Sequence, residues 1–269
     1  MRIPVIGHLR DRPTAWPLDQ PVPCWCGASA DTWVTGRAGD GTRMDIWECS
    51  GCGTMRASPY LSERSISELY TDYMKNSPDE FDVEYTRTQQ QRNFIQSNRL
   101  RFSSILDWGC GVGGGLSVWR GNYPQAVIEG LEIDPVSTAL AIARDFRVKS
   151  QVWARYDLIT ISHVLEHVRD PLALLMSARG NLTPSGVVFA EVPHVPRTLW
   201  NWKWIYQTEL PHCWYFQPGG FRELFLRSGY RVQDIDTGRD IRIFASPKQA
   251  TEDWAGRFDP WEGRHANSA

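Results

Sequence analysis

Ile105-Leu106-Asp107-Trp108-Gly109-Cys110-Gly111-Val112-Gly113-Gly114-Gly115 is an apolar run that ends in a carboxylate and opens into a cluster of glycines. The stretch Ser104 to Asp107 has the texture of a buried strand. Glycines after such a strand let the backbone turn tightly and approach a ligand closely. Gly109, Gly111 and Gly114 satisfy G-x-G-x-x-G, a pattern that dinucleotide enzymes share and that discriminates poorly by itself. Asp107 tips the balance. At the carboxyl end of the strand, two residues before the first glycine, it would crowd a pyrophosphate but suits a ligand carrying a cationic amino group. Glu132 ends the next strand, roughly 20 residues beyond the glycines, where a carboxylate can accept hydrogen bonds from a ribose diol.

Working outward, strands and helices alternate. Residues 126–132 read as a strand. Residues 135–146 read as a helix with Asp134 as cap and Pro135 in its first turn. A short strand over 147–153, a stronger one over 157–161, a helix over 171–179 capped by Asp170 and a strand over 186–192 follow. A helix over 218–228 stops at Gly229, and 231–236 with 241–245 makes a closing antiparallel pair. This alternation predicts an α/β, Rossmann-like, mostly parallel sheet with helices on both faces. Upstream, Ile66, Leu69, Tyr70 and Tyr73 have helical spacing, 77–84 reads as a turn or loop, and 85–100 as a polar helix with Phe94, Ile95 and Leu100 inward. The expected domains are a module over 1–60, a helical linker or lid over 61–84, a catalytic domain over 85–246 and a loose tail over 247–269.

Several segments in fixed order resemble the class I S-adenosylmethionine-dependent methyltransferases. Ile105 to Gly111 resembles their first motif and Leu131-Glu132-Ile133-Asp134-Pro135 their second. Asp157 to Pro171, containing Leu165-Glu166-His167 and Asp170-Pro171, is similar to the next strand and loop of one broad subgroup. Leu182 to Gly186 with Glu191-Val192-Pro193-His194, then Pro211 to Phe216 and Phe221 to Gly229, resemble later segments. The resemblance implies a seven-stranded sheet, S-adenosylmethionine as methyl donor and S-adenosylhomocysteine as product. It carries cofactor contacts onto Asp107, Gly109, Cys110, Gly111, Gly113, Glu132, Ile133, Ser162 and His163. The family places an acid after its third strand for the adenine amino group. None stands between Phe146 and Asp157, which leaves backbone groups, Gln151 or Trp153 for adenine.

Cys24-Trp25-Cys26-Gly27 and Cys49-Ser50-Gly51-Cys52-Gly53 are two close pairs about 25 residues apart, the pattern of a zinc ribbon. We expect Cys24, Cys26, Cys49 and Cys52 to hold a structural Zn²⁺, with disulfides the alternative. Similar four-cysteine modules occur in sugar C-methyltransferases and polysaccharide-cluster methyltransferases. Cys110 and Cys213 lie outside the module and read as free buried cysteines.

Methyl transfer to a hydroxyl or a carbon acid needs a group to remove the proton, and histidine suits that near neutral pH. His212 is the first candidate, in a segment expected to hang over the cofactor; His194, ending a strand, is the second. His163 is expected at the methionine end of the cofactor and His167 to tie down the loop after the fourth strand. The resemblance also points to Tyr206 and Glu209, although Leu210 and Pro211 separate that acid from His212. Tryptophans at 200, 202 and 204 alternate along 199–206, suited to a sugar face, a packed lid or a homodimer contact.

Hydrophobic residues make up 42% of the chain and charged residues 22%, with a formal net charge of −2 and no dense Lys/Arg run. That argues against a nucleic-acid partner. No apolar run is long enough to span a bilayer and no secretory signal opens the sequence, so a cytoplasmic location is expected. The leading reading is methyl transfer to a small-molecule or glycan acceptor, at a sugar hydroxyl or sugar carbon. The rivals are a catalytically inactive methyltransferase-like binding module, holding a partner through zinc ribbon and tryptophans, and a nicotinamide dehydrogenase.

Overall fold

The computed structural model describes residues 23–39, 42–75, 77, 79–97, 100–194 and 212–248. Its centre is β4 (Ser104–Trp108), flanked by β5 (Val127–Leu131), β6 (Val148–Lys149), β7 (Tyr156–Ser162), β8 (Leu182–Pro193), β10 (Tyr230–Thr237) and β11 (Asp240–Pro247). They form one seven-stranded sheet in the order β10-β11-β8-β7-β4-β5-β6, parallel except for β11, which runs antiparallel to β8 and β10. The expected closing pair is therefore present, inserted so that the second strand of the pair lies inside the sheet. Alternate residues of the central strands point to opposite faces. Ile105, Leu158 and Phe189 pack with Ile95 and Trp119 of α2 (Glu80–Ser97) and α3 (Gly114–Asn122). Leu106, Ile159, Val188 and Ala190 pack with Leu175 of α5 (Pro171–Gly180) and Leu224 and Phe225 of α6 (Pro218–Arg227). Both faces are covered, which explains strands that read as unbroken apolar runs.

Local signals set most helix ends. Asp134 caps α4 (Pro135–Ala143) by accepting from Ser137 N at 2.7 Å, and Asp170 caps α5 by accepting from Ala173 N at 2.9 Å. α4 stops three residues before the expected Phe146, because Asp145 takes φ 63° and turns the chain out of the helix. The expected strand over 147–153 shortens to Val148–Lys149. The loop expected over 77–84 is the largest difference: α2 already begins at Glu80, its first turn carrying Glu80 and Asp82 at the positive end of the helix dipole. α1 spans Glu63–Lys75.

The cysteine-bearing segment forms a second sheet of β1 (Asp31–Gly39), β2 (Thr42–Cys49) and β3 (Met55–Ser58). A fourth strand comes from far down the chain: β9 (Trp214–Tyr215) pairs with β3. Ala57 N donates to Cys213 O at 2.9 Å, and one apolar cluster runs from Cys24, Ile46 and Cys49 into the main sheet. Arg56, buried on β3, grips Asp31 through two hydrogen bonds of 2.8 and 2.7 Å, holding the Asp31 carboxyl below the usual range. Asp31→Ala deprives that buried guanidinium of its bidentate partner and is expected to cost about 3 kcal/mol. Urea denaturation at neutral pH checks this, and the difference from the parent should vanish on acidification, once Asp31 is protonated in both states.

Candidate active site

The glycine loop leaves the carboxyl end of β4 with Gly109, Gly111 and Gly113 at φ 79°, 53° and 93°, the left-handed region that disfavours side chains. Any Cβ at Gly113 would meet the Phe146 ring at 2.6 Å. Asp107 lies beneath this loop, 7% exposed, and accepts from Thr160 Oγ1 at 2.7 Å. Burial pushes its carboxyl up to about 7, against the pull of Thr160 and with the nearby Glu132 adding to the rise. Glu132 is tied in place: Oε2 accepts from Gly111 N at 2.9 Å, and Oε1 from Ile133 N and Asp134 N at 2.8 and 2.9 Å. Ile133 is 91% exposed beside a groove lined by Pro135, Thr138, Ala139, Ile142, Val148 and Lys149. Trp153 is 88% exposed, and Cys110 and Cys213 are buried free thiols.

One residue that the sequence did not single out completes the loop. Glu84 of α2 accepts from Val112 N at 2.9 Å and Gly114 N at 2.7 Å, so a carboxylate from a neighbouring helix caps α3, whose own N-cap, Gly113, has no side chain. Burial pushes Glu84 up to about 8, against those two donors. The only sequence signal was an acid within a polar stretch, and the even polarity of α2 hid which face it turns to the loop.

The second half of the site is charged and lies after β7. His163, at φ 53°, sets Nδ1 3.3 Å from Glu166 Oε1 and Nε2 3.2 Å from Glu191 Oε1. Burial alone would lower its pKa, but the two carboxylates overcome it and raise it to about 9. Burial would likewise raise Glu166 and Glu191; His163, helped by His167 and His212 at Glu166 and by Arg242 and Gln91 at Glu191, holds each near 2. Gln91 of α2 donates to Ser162 Oγ at 2.6 Å and Glu191 Oε1 at 2.8 Å, and Arg242 Nε donates to Glu191 Oε2. Glu166 and Glu191 stood in the sequence only as motif residues without a role, and Gln91 not at all; Gln91 and Glu191 matter through partners distant in the chain.

His212 is 5% exposed, and its ring meets the His167 ring edge-on at 4.6 Å between centroids; Tyr70 also meets His167 edge-on, at 5.5 Å. Cys213 N and Trp214 N both donate to Glu166 O, at 2.7 and 3.1 Å, and Trp214 Nε1 donates to Val168 O at 2.7 Å. His194 stands apart, its Nδ1 3.0 Å from Gly238 O in the turn between β10 and β11. Tyr206, Glu209 and the tryptophans of 199–206 lie outside the described residues.

In the small sheet, Cys24 Sγ is 3.6 Å from Cys52 Sγ and Cys26 Sγ is 3.4 Å from Cys49 Sγ, with all four sulfurs within 4.8 Å of one another. A zinc ion with bonds of about 2.3 Å needs sulfurs about 3.8 Å apart, so the cluster fits a tetrahedral centre. Arg227 of α6 donates to Cys26 O at 2.7 Å, docking the first knuckle on the main domain. Among the described residues, no helix is long and apolar enough to cross a membrane.

Comparison with known proteins yields one family model, described as a methyltransferase domain, that matches residues 83–235. A ubiquinone biosynthesis O-methyltransferase of Histophilus somni (strain 2336) is 30% identical over 125 residues, covering 40% of this chain and 51% of that protein. One of Haemophilus ducreyi (strain 35000HP / ATCC 700724) is 30% identical over 129 residues, covering 40% and 52%. The chain spans about half the length of these curated relatives. Among solved structures, an S-adenosylmethionine-dependent methyltransferase from Clostridium acetobutylicum ATCC 824 superposes with a TM-score of 0.50 at 9% identity, covering 67% of this chain and 100% of that one. Human N-acetylserotonin methyltransferase, in complex with SAM, gives 0.50 at 15% identity, covering 70% and 57%. At these identities the likeness is one of fold.

Proposed function

We propose, from the premise that this chain belongs to the methyltransferase-domain family, that it transfers a methyl group from S-adenosylmethionine to a small-molecule acceptor. The observation that carries this reading is the pairing of a buried carboxylate, Asp107, under a glycine loop with a histidine–glutamate nest on the neighbouring strand end. The bound cofactor supplies an electrophilic methyl on a sulfonium. Asp107 provides negative charge for the cationic methionine end, and Gly109, Cys110, Gly111 and Gly113 let the backbone come close to it. Glu132, with three backbone donors already in place, presents its remaining lone pairs to the ribose. Ile133 and the apolar groove beside it offer a face to adenine, with Ser150 and Lys149 where the family's acid is missing. Ser162 and His163 border the methionine end.

His212, backed by His167 and Glu166, handles the acceptor's proton; His194 is the lesser candidate. The relatives named for ubiquinone biosynthesis favour an oxygen acceptor over a carbon one. A sugar or glycan hydroxyl is the finer form of this proposal, and a homodimer contact through the tryptophan run a further part of it. The domain limits of 1–60, 61–84, 85–246 and 247–269 stand as proposals too. So does Zn²⁺ in the cysteine cluster, where the four sulfurs have the right separations and the ion's role is to hold the small sheet together.

Calorimetric titration with S-adenosylmethionine tests the reading, and its pH dependence tests Asp107. A cationic ligand binds the ionised carboxylate, and burial holds Asp107 at about 7. Affinity should therefore fall roughly tenfold per unit as pH drops below about 7 and level off above it, with protons released on binding. Asp107→Asn should flatten the curve and weaken binding throughout. No binding by the zinc-loaded chain at any pH from 6 to 9 would sink the proposal.

A further inference from the structure

We propose that Glu166, His167 and His212 form a binding site for one divalent metal ion, separate from the cysteine cluster. One ligand atom from each of the three lies within 4.8 Å of the other two. The set gathers around a carboxylate that is 1% exposed and whose two oxygens accept no hydrogen bond among the described residues. His163 Nδ1 and His167 Nε2 stand 3.3 and 3.8 Å from Glu166 Oε1, close enough for charge but misaligned as donors. His163 brings positive charge to Oε1, and Oε2, buried with no hydrogen bond among the described residues, is left to a cation. The imidazoles are poised to share it: the His167 and His212 rings meet edge-on at 4.6 Å.

The chemistry of the donors selects the ion class. Two imidazole nitrogens and one carboxylate oxygen suit Zn²⁺, Fe²⁺, Mn²⁺ or Co²⁺ and leave coordination positions for other ligands. Metal–ligand bonds of about 2.1 Å bring ligand atoms about 3.0–3.4 Å apart, so modest side-chain rotation closes the set. The backbone already fixes the two halves together, because Cys213 N and Trp214 N donate to Glu166 O. His163, bridging Glu166 to Glu191, stands behind the ligand carboxylate as an orienting group.

The purpose of the ion rests on the methyl-transfer reading. An acceptor hydroxyl coordinated there gives up its proton to water at neutral pH. The O–H pair stays on the oxygen and forms the new bond to the methyl carbon, while the C–S pair leaves with the sulfur. In that arrangement His212 acts as a ligand in place of a base, and the proton leaves to water.

The probe is Mn²⁺, which as a hard ion avoids the thiolates. The full-length chain, given one equivalent of zinc for the cysteine cluster and freed of any excess, is titrated with Mn²⁺ and the free-ion electron paramagnetic resonance signal recorded. We expect one Mn²⁺ per chain at micromolar metal, with Glu166→Gln and His212→Asn each weakening binding about tenfold or more. Because loss of the fold in either variant would mimic loss of the site, Co²⁺ spectra of the parent chain are read alongside, where nitrogen and oxygen ligation gives visible bands without thiolate charge transfer. Absence of both signals, or Mn²⁺ binding of equal strength in folded variants, overturns the site. Mn²⁺ binding without S-adenosylmethionine binding keeps the metal site and removes the reaction; the converse removes the site alone.

Discussion

Gly114→Val should cripple cofactor binding more than any other single change in the glycine loop. A Cβ at Gly114 comes within 2.3 Å of Phe81 O and 2.7 Å of Tyr85 N, both backbone atoms of α2 that cannot rotate away. α2 must shift, and with it Glu84, which loses its bonds to Val112 N and Gly114 N. Overpacking costs about 1–3 kcal/mol, and each hydrogen bond to the mostly neutral Glu84 carboxyl about 0.5–1.5 kcal/mol. A net loss of about 4 kcal/mol in stability follows, and the loop amides drift from their places under the ligand. Calorimetry should show affinity for S-adenosylmethionine at least about tenfold weaker, alongside a lower melting temperature. Glu84→Gln separates the contributions, since it leaves the helix contact intact and gives up only part of the capping. A Gly114→Val chain of native affinity would show that the approach of α2 to α3 is irrelevant to the loop.

The second large effect belongs to the cysteines. Cys49→Ser removes one of four sulfurs from a buried position between β2 and the knuckle turn. Structural zinc sites contribute their binding free energy to folding, about 10–16 kcal/mol in small isolated modules. Here the small sheet also leans on the main core, so a smaller loss, about 5 kcal/mol, is expected. Zinc held by the cysteine cluster should fall from one per chain to none, with the urea midpoint dropping in step. The damage should reach the acceptor side as well, because β3 pairs with β9 two residues after His212. Turnover should then suffer more than cofactor affinity. Equal zinc content in variant and parent would contradict the assignment.

Much of this protein was legible along the chain. The strand before the glycines, the Asp134-Pro135 and Asp170-Pro171 helix starts and the closing pair of strands are local patterns, and each appears where its pattern put it. The paired cysteines were legible for the same reason, since knuckle geometry is written in a few consecutive residues. Glu84 was not, because α2 carries no strong apolar stripe to tell its inner face from its outer one. The shortened α4 was hidden in a single left-handed residue, Asp145, that composition does not announce.

The amino-acid sequence by itself determined the α/β alternation, the glycine loop with its two acids and the paired cysteines, because hydrophobic period, turn chemistry and residue spacing act over a few residues. Only the tertiary structure decided that β9 closes the small sheet, that Glu84 caps α3, and that Glu166, His167 and His212 converge. The physical reason is that these last features depend on contacts between segments tens of residues apart. Such contacts come from packing both faces of the sheet, not from the preferences of neighbouring residues.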